Sequence, residues 1–355
     1  MNLPKLKIGN LEAKFPIIQG GMGIGVSLSS LAAAVANEGG IGIISGAQTG
    51  YKEENFKTNN NSANINGIKK EIRLAKKLSP NGIIGINFLQ ASYNYIELVQ
   101  TAVSEKIDLI ISGAGLPKTL PQYVKGTNTK IAPIVSSGRA AKLLTKLWKK
   151  KYDYLPDAIV VEGSKAGGHL GFKREDLENG NVKTLKEIVI EVLEAIKPFE
   201  EKYNQRIPVI AAGGIFTGKE IKEYIEMGAS GVQMATRFVA TEECDAHINF
   251  KKAYINAEKE DIQLIKSPVG LPGRVITNTL TKQIEADSLT IKSCYRCLKG
   301  CNPKVAPFCI TEALVKAVNG DIDNGLIFIG TNGYKVNKII TVKQLFQELY
   351  DEYFE

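Results

Sequence analysis

His169 is one of only two histidines in 355 residues, and it ends the run Asp157-Ala-Ile-Val-Val-Glu-Gly-Ser-Lys-Ala-Gly-Gly-His169. Ile159, Val160 and Val161 form a short β-branched run that reads as a buried strand. The polar, glycine-rich stretch follows where that strand must end. Gly167 and Gly168 carry no Cβ, so the backbone there can approach a flat ligand closely or adopt positive φ. An imidazole after such a loop is aimed at whatever the loop cradles. It is also the side chain best suited to move protons near neutral pH. The plain alternative is a loop histidine that caps a turn.

The surrounding elements decide between these. Apolar runs bounded by glycine or small residues recur at 16–19, 41–45, 83–87, 109–112, 131–135, 158–161, 208–211 and 231–234. Amphipathic helical patterns lie between them, for example at 28–37, 68–78, 183–203 and 218–227. Continuous apolar strands alternating with helices specify a parallel sheet covered on both faces. Eight units in about 240 residues match a closed (β/α)8 TIM barrel, whose active site lies at the C-terminal strand ends. Glycine groups at 20–21, 167–168 and 213–214 all fall on that face.

Beyond residue 240 the alternation stops. Residues 241–290 read as helical and then irregular, with a loop signal from Ser267 to Arg274, and 341–353 reads as an amphipathic helix. The expected organisation is a barrel over 1–240 and a smaller, mostly helical C-terminal domain over 241–355 that carries substrate contacts and acts as a lid. The Asn-rich stretch 55–66 reads as a surface loop.

Bulk properties narrow the class. The formal charge is +8, yet the lysines are dispersed and no basic stripe is interleaved with aromatics. Nucleic-acid binding is therefore not expected. Lys149, Lys150 and Lys151 read as a solvated helix end. Five cysteines do not form a secreted disulfide framework, and neither a signal core nor a membrane-length apolar run is present. The expected location is the cytoplasm.

Ala211-Ala-Gly-Gly-Ile-Phe-Thr-Gly218 and Gly231-Val-Gln-Met-Ala-Thr-Arg-Phe238 fall where barrel enzymes hold phosphate. Backbone N–H groups of Gly213 and Gly214, with the Thr236 N–H and hydroxyl, can surround a phosphate without a lysine. A phosphate there, a glycine lip after the first strand and Asn87 at the third suit an elongated phosphorylated cofactor whose far end lies near His169.

With these segments on the page, the chain resembles the nitronate monooxygenase (2-nitropropane dioxygenase) family of FMN-dependent barrels, and its relatives the flavin-dependent enoyl-acyl-carrier-protein reductases. The resemblance runs from Pro16 to about Arg274. It rests on IIQGGMG with LAAAVANEGGIGI, on GINFL, on VEGSKAGGHLGF, and on IPVIAAGGI with GASGVQMATRF. It implies that Gly21, Met22 and Gly23 line the flavin and that Asn87 hydrogen-bonds its ring system. Gly168 would contact the ribityl chain, and His169 would be the catalytic acid/base. Gly213, Gly214, Gln233, Met234, Ala235 and Thr236 would hold the phosphate end, and Glu162 and Gly167 complete the cofactor-binding set. Relatives usually have glycine at the place of Ala235 and Glu at the place of Lys165. At Glu162 the monooxygenases tend to have Gln and the reductases Glu. A barrel of the inosine-monophosphate dehydrogenase type needs a cysteine after strand six, and the first cysteine of this chain is Cys244.

The resulting expectation is oxidation of alkyl nitronates with oxygen to carbonyl compounds and nitrite, with FMN as cofactor and a small molecule as substrate. The alternative is reduction of an enoyl thioester by NAD(P)H, with acyl carrier protein as partner. A homodimer is compatible with the sequence, which does not fix the oligomer. His247 follows Cys244 and Asp245 at a spacing that matches no standard metal site and reads as a packed or capping residue. Cys294, Cys297, Cys301 and Cys309 form C-x2-C-x3-C-x7-C. Three close thiols raise zinc or an iron–sulfur cluster as one reading. The spacing is no standard ribbon or ferredoxin run, so buried cysteines without metal are the expectation.

Overall fold

The computed structural model describes residues 3–355. An antiparallel hairpin of β1 (Leu6–Ile8) and β2 (Leu11–Ala13) leads into the barrel. The barrel strands are β3 (Ile17–Gln19), β4 (Ile41–Ser45), β5 (Ile83–Leu89), β6 (Leu109–Gly113), β7 (Lys130–Val135), β8 (Ile159–Glu162), β10 (Val209–Ala212) and β11 (Gly231–Met234). They close in that order, with β11 pairing β3 in parallel. All eight runs expected from the sequence are barrel strands.

Each barrel strand is buried on both faces, as its uninterrupted apolar character requires. Ile18, Ile41, Ile43, Leu109, Ile111, Val160 and Ile210 fill the interior. Leu6, Ile8 and Ala13 of the hairpin belong to the same cluster, so the hairpin plugs the N-terminal end. The alternate residues, among them Ile44, Ile84, Ile86, Ile110, Val161 and Val232, pack under the helices. Two crossover helices are fixed by capping boxes: Thr184 with Glu187 for Leu185–Tyr203, and Thr217 with Glu220 for Gly218–Glu226.

The Asn-rich stretch corrects one expectation. Only its first part is irregular, because a helix begins at Asn60 and continues to Leu78, capped by Asn59. Asn64 is 1% exposed, and its Oδ1 accepts from the Gly50 N–H at 3.0 Å while its Nδ2 donates to Asn60 Oδ1 at 3.0 Å. Its amide is satisfied internally, which polar composition alone does not reveal.

The C-terminal part is mostly helical, with helices Ile248–Asn256, Thr279–Glu285, Ile310–Val318 and Val342–Phe354. It also holds two strands that the sequence reading left irregular, β12 (Ile262–Lys266) and β13 (Pro272–Ile276). They form an antiparallel sheet completed by β9, which is Gly168–His169 itself. The last helix returns to the barrel wall, where Glu352 accepts from the Gly218 N–H at 2.7 Å and Phe346 meets Phe15 edge-on at 5.3 Å. Among the described residues no helix is long and apolar enough to cross a membrane.

Candidate active site

The C-terminal ends of the barrel strands open into one cavity of about 260 Å³, and every site residue expected from the sequence lines it. Gly21, Met22 and Gly23 form its lip after β3. Asn87 comes from β5, Glu162 from the end of β8, and Gly167, Gly168 and His169 from β9 and the loop before it. Gly213 and Gly214 follow β10, and Gln233, Met234, Ala235 and Thr236 span the end of β11.

The lip is set by close approach. A Cβ on Gly21 would lie 2.5 Å from Asn87 Cβ, so only glycine allows the two segments to touch. The Met22 N–H donates to Ser27 Oγ at 2.9 Å and holds the turn. On the opposite side Gly213 and Gly214 have φ of +99° and +89°. A Cβ on Gly214 would stand 2.7 Å from Lys165 Cβ. Ala235, where relatives usually have glycine, has φ −128°, so its methyl brings no left-handed strain.

His169 is held from three sides. Its strand pairs with β13, and the Leu170 N–H donates to the Pro272 carbonyl at 2.9 Å. Its Nε2 lies 2.7 Å from Ser267 Oγ, and Phe328 meets its ring edge-on at 4.9 Å between centroids. Burial pushes the imidazole down to about 4, so the ring is uncharged at neutral pH. Burial likewise pushes the Glu162 carboxyl up to about 7. The Arg274 guanidinium donates to the carbonyls of Ser164 and Ala166, and burial lowers it to about 10. It thereby fixes the loop between β8 and β9.

Several lining or supporting residues were not read from the sequence. Phe250, Tyr254, Leu314, Leu326 and Phe328 form an apolar roof from the C-terminal part. Gly330 and Asn332 close the cradle: a Cβ on Gly330 would meet Thr236 Oγ1 at 2.9 Å, and Asn332 Nδ2 donates to the Gly214 carbonyl at 2.6 Å. The usable signal was the apolar run Leu326–Ile329 followed by Gly-Thr-Asn-Gly, a strand-like segment ending in a glycine turn. Ser267 was marked in the sequence only as the start of a loop signal, with nothing to place it beside His169. His247 takes the expected capping role, its Nδ1 accepting from the Asn249 N–H at 3.2 Å.

The nitronate monooxygenase family model matches residues 5–352, and the chain belongs to that family. It is 27% identical to a probable nitronate monooxygenase of Staphylococcus aureus (strain Newman), across 77% of this chain and 78% of that protein. It is 25% identical to (3aS,4S,5R,7aS)-5-hydroxy-7a-methyl-1-oxo-octahydro-1H-indene-4-carboxyl-CoA dehydrogenase of Rhodococcus jostii (strain RHA1), across 76% of this chain and 65% of that enzyme's length. Among solved structures, FabK from Thermotoga maritima is similar with a TM-score of 0.75 and 27% identity, covering 96% of this chain and 93% of that one. Nitroalkane oxidase from Streptomyces ansochromogenes has a TM-score of 0.71 at 21% identity, covering 96% of each chain, a likeness of fold. The protein is a flavin-dependent oxidoreductase.

The cavity fits such a cofactor. Gln233 Oε1 is buried at its wall without a hydrogen-bond partner, an acceptor left for a ligand's N–H. The adjoining glycine cradle has no room for side chains and exposes backbone instead.

Proposed function

We propose that the protein is an FMN-dependent nitronate monooxygenase that converts alkyl nitronates and oxygen to carbonyl compounds and nitrite. The observation that carries this reading is the uncharged His169, with Nε2 engaged by Ser267 and Nδ1 without a partner among the described residues. A neutral imidazole presents an unprotonated ring nitrogen ready to accept a proton.

In this reading Gly213, Gly214 and Thr236 hold the cofactor phosphate, Asn87 faces its ring system, and the glycine lip at 21–23 lies along it. Gln233, assigned to the phosphate end from the sequence, instead offers its free Oε1 acceptor to a ring N–H. A bound flavin supplies the acceptor for the substrate's electrons and the point of contact with oxygen. With a neutral nitroalkane, His169 Nδ1 takes the α-proton. Nε2–H then donates to Ser267 Oγ, which also accepts from the Val269 N–H at 3.3 Å. The nitronate anion formed beside the imidazolium offsets the cost of charging a buried ring. The apolar roof, with residues 241–355 acting as the lid and substrate-binding part, excludes water.

Reduction of an enoyl thioester by NAD(P)H is the second reading, favoured by Glu162 and by the similarity to FabK. Absorbance and oxygen uptake separate the two. The purified protein is expected to be yellow, to release FMN on heating, and to consume oxygen with a nitronate while oxidising little NAD(P)H. Anaerobic bleaching by NADPH and recovery with crotonyl thioester, without oxygen uptake on nitronate, would reverse the assignment. Released flavin that runs as FAD would remove the phosphate-cradle reading.

A further inference from the structure

Away from the barrel mouth, Cys294, Cys297, Cys301 and Cys309 all border one second cavity of about 420 Å³. They lie in a stretch with no regular secondary structure between Glu285 and Ile310. Irregular segments of that length inside a folded region are uncommon unless they are functional or stapled. This one is tied to the loop after β5 by Tyr93 N–H donating to the Cys297 carbonyl and Lys299 N–H to the Ala91 carbonyl, both at 3.0 Å.

Two features of the segment suit a bound cation held by sulfur. From Ser288 to Thr311 the chain carries Lys292, Arg296, Lys299 and Lys304 and no Asp or Glu. None of these four cations makes an ion pair among the described residues. The sulfurs also face donors. The Arg296 N–H donates to Cys294 Sγ at 3.4 Å, from a residue held at φ +50°. Cys309 is the N-cap residue of the Ile310–Val318 helix, so its side chain starts beside the free N–H groups of that helix's first turn. Arg296 and Lys299 border the same cavity as the four sulfurs.

We propose that Cys294, Cys297, Cys301 and Cys309 form a tetrathiolate zinc site that staples this segment to the roof of the catalytic cavity. Zinc takes four thiolates tetrahedrally, and binding releases the four thiol protons. The product carries a net charge of −2, which the surrounding lysines and arginine balance. Among the described residues no three metal-ligating side chains meet at a point. Binding therefore draws the thiols inward across the cavity they share. The staple reaches the active site through packing: Phe308, Ile310 and Ala313 belong to one cluster with Leu326, against which Phe328 packs. Phe328 in turn covers His169.

The test is metal analysis and thiol titration of the intact flavoprotein, dialysed against a weak chelator. The expected result is one zinc per chain, with four thiols that react only after a strong chelator is added. Cys301→Ser is expected to lose zinc under the same dialysis. Should that variant fail to fold, titrating the chelated wild-type protein with Co2+ and reading thiolate-to-metal absorption gives the same answer. Absence of zinc with four thiols freely reactive in the native protein would overturn the proposal, as would iron with acid-labile sulfide.

Discussion

Ser267 Oγ lies 2.7 Å from His169 Nε2, so the imidazole at the end of a barrel loop is oriented by a residue of the C-terminal part. The two are brought together because β13, just after Ser267, pairs with the strand that contains His169. Ser267→Ala removes a single orienting hydrogen bond, worth about 1 kcal/mol. Turnover of a neutral nitroalkane is expected to fall roughly fivefold, with flavin content unchanged. Loss of flavin in this variant would make Ser267 a folding residue instead.

His169→Ala tests the base directly. It is expected to keep its flavin and to lose about 10²–10⁴-fold in turnover of the neutral nitroalkane. A preformed nitronate already lacks the α-proton and should be affected less. Near-wild-type rates with both substrates would remove His169 from the chemistry.

The raised Glu162 and lowered His169 make opposite contributions to stability against pH. The His169 contribution is gained as pH rises from about 4 to its unfolded value of 6.5 and is complete above it. For Glu162 the folded group holds its proton more tightly than the unfolded one. Its contribution is present below the ordinary carboxyl value of 4.5 and is lost as pH rises through about 7. Between about pH 6.5 and 8 the Glu162 loss outweighs what remains of the His169 gain. Denaturation midpoints of the flavin-free protein should therefore fall over that interval and stay level in Glu162→Gln. A wild-type midpoint that rises over the interval would contradict a buried, unpaired carboxyl.

Gly214→Ala tests the cradle. The residue sits at φ +89°, and its new methyl would press on Lys165. Strain of about 1–3 kcal/mol at such a position should weaken flavin binding by about fivefold or more. Circular dichroism should report an intact barrel. Unaltered flavin affinity, measured by fluorescence quenching, would place the phosphate elsewhere.

The barrel was legible because each strand is a continuous apolar run, a pattern that burial on both faces demands. β12 and β13 were not. Ile262-Gln-Leu-Ile-Lys266 is short and partly exposed, and Pro272-Gly273 opens β13 with the residues that otherwise mark loops. Their pairing is non-local, so its cause lies in what β9 offers as an edge. The barrel side of the site was readable from glycine groups at strand ends. Its roof was hidden because Phe250, Leu314 and Phe328 are ordinary core side chains until the fold turns them toward a cavity. Asn64 shows the same limit in reverse, a polar residue that looks superficial and is buried.

Because Gly330 and Asn332 complete the cradle begun by Gly214 and Thr236, the site is assembled from pieces made at different times. At about 5–20 residues per second of synthesis, the closing segment follows His169 by on the order of ten seconds. During that interval the growing barrel has an open mouth and lacks the contacts of Gly330 and Asn332. Capture of the cofactor and docking of the roof are thus late, coupled events in the life of each molecule. In a cell short of flavin, the roof should be the first part open to proteases.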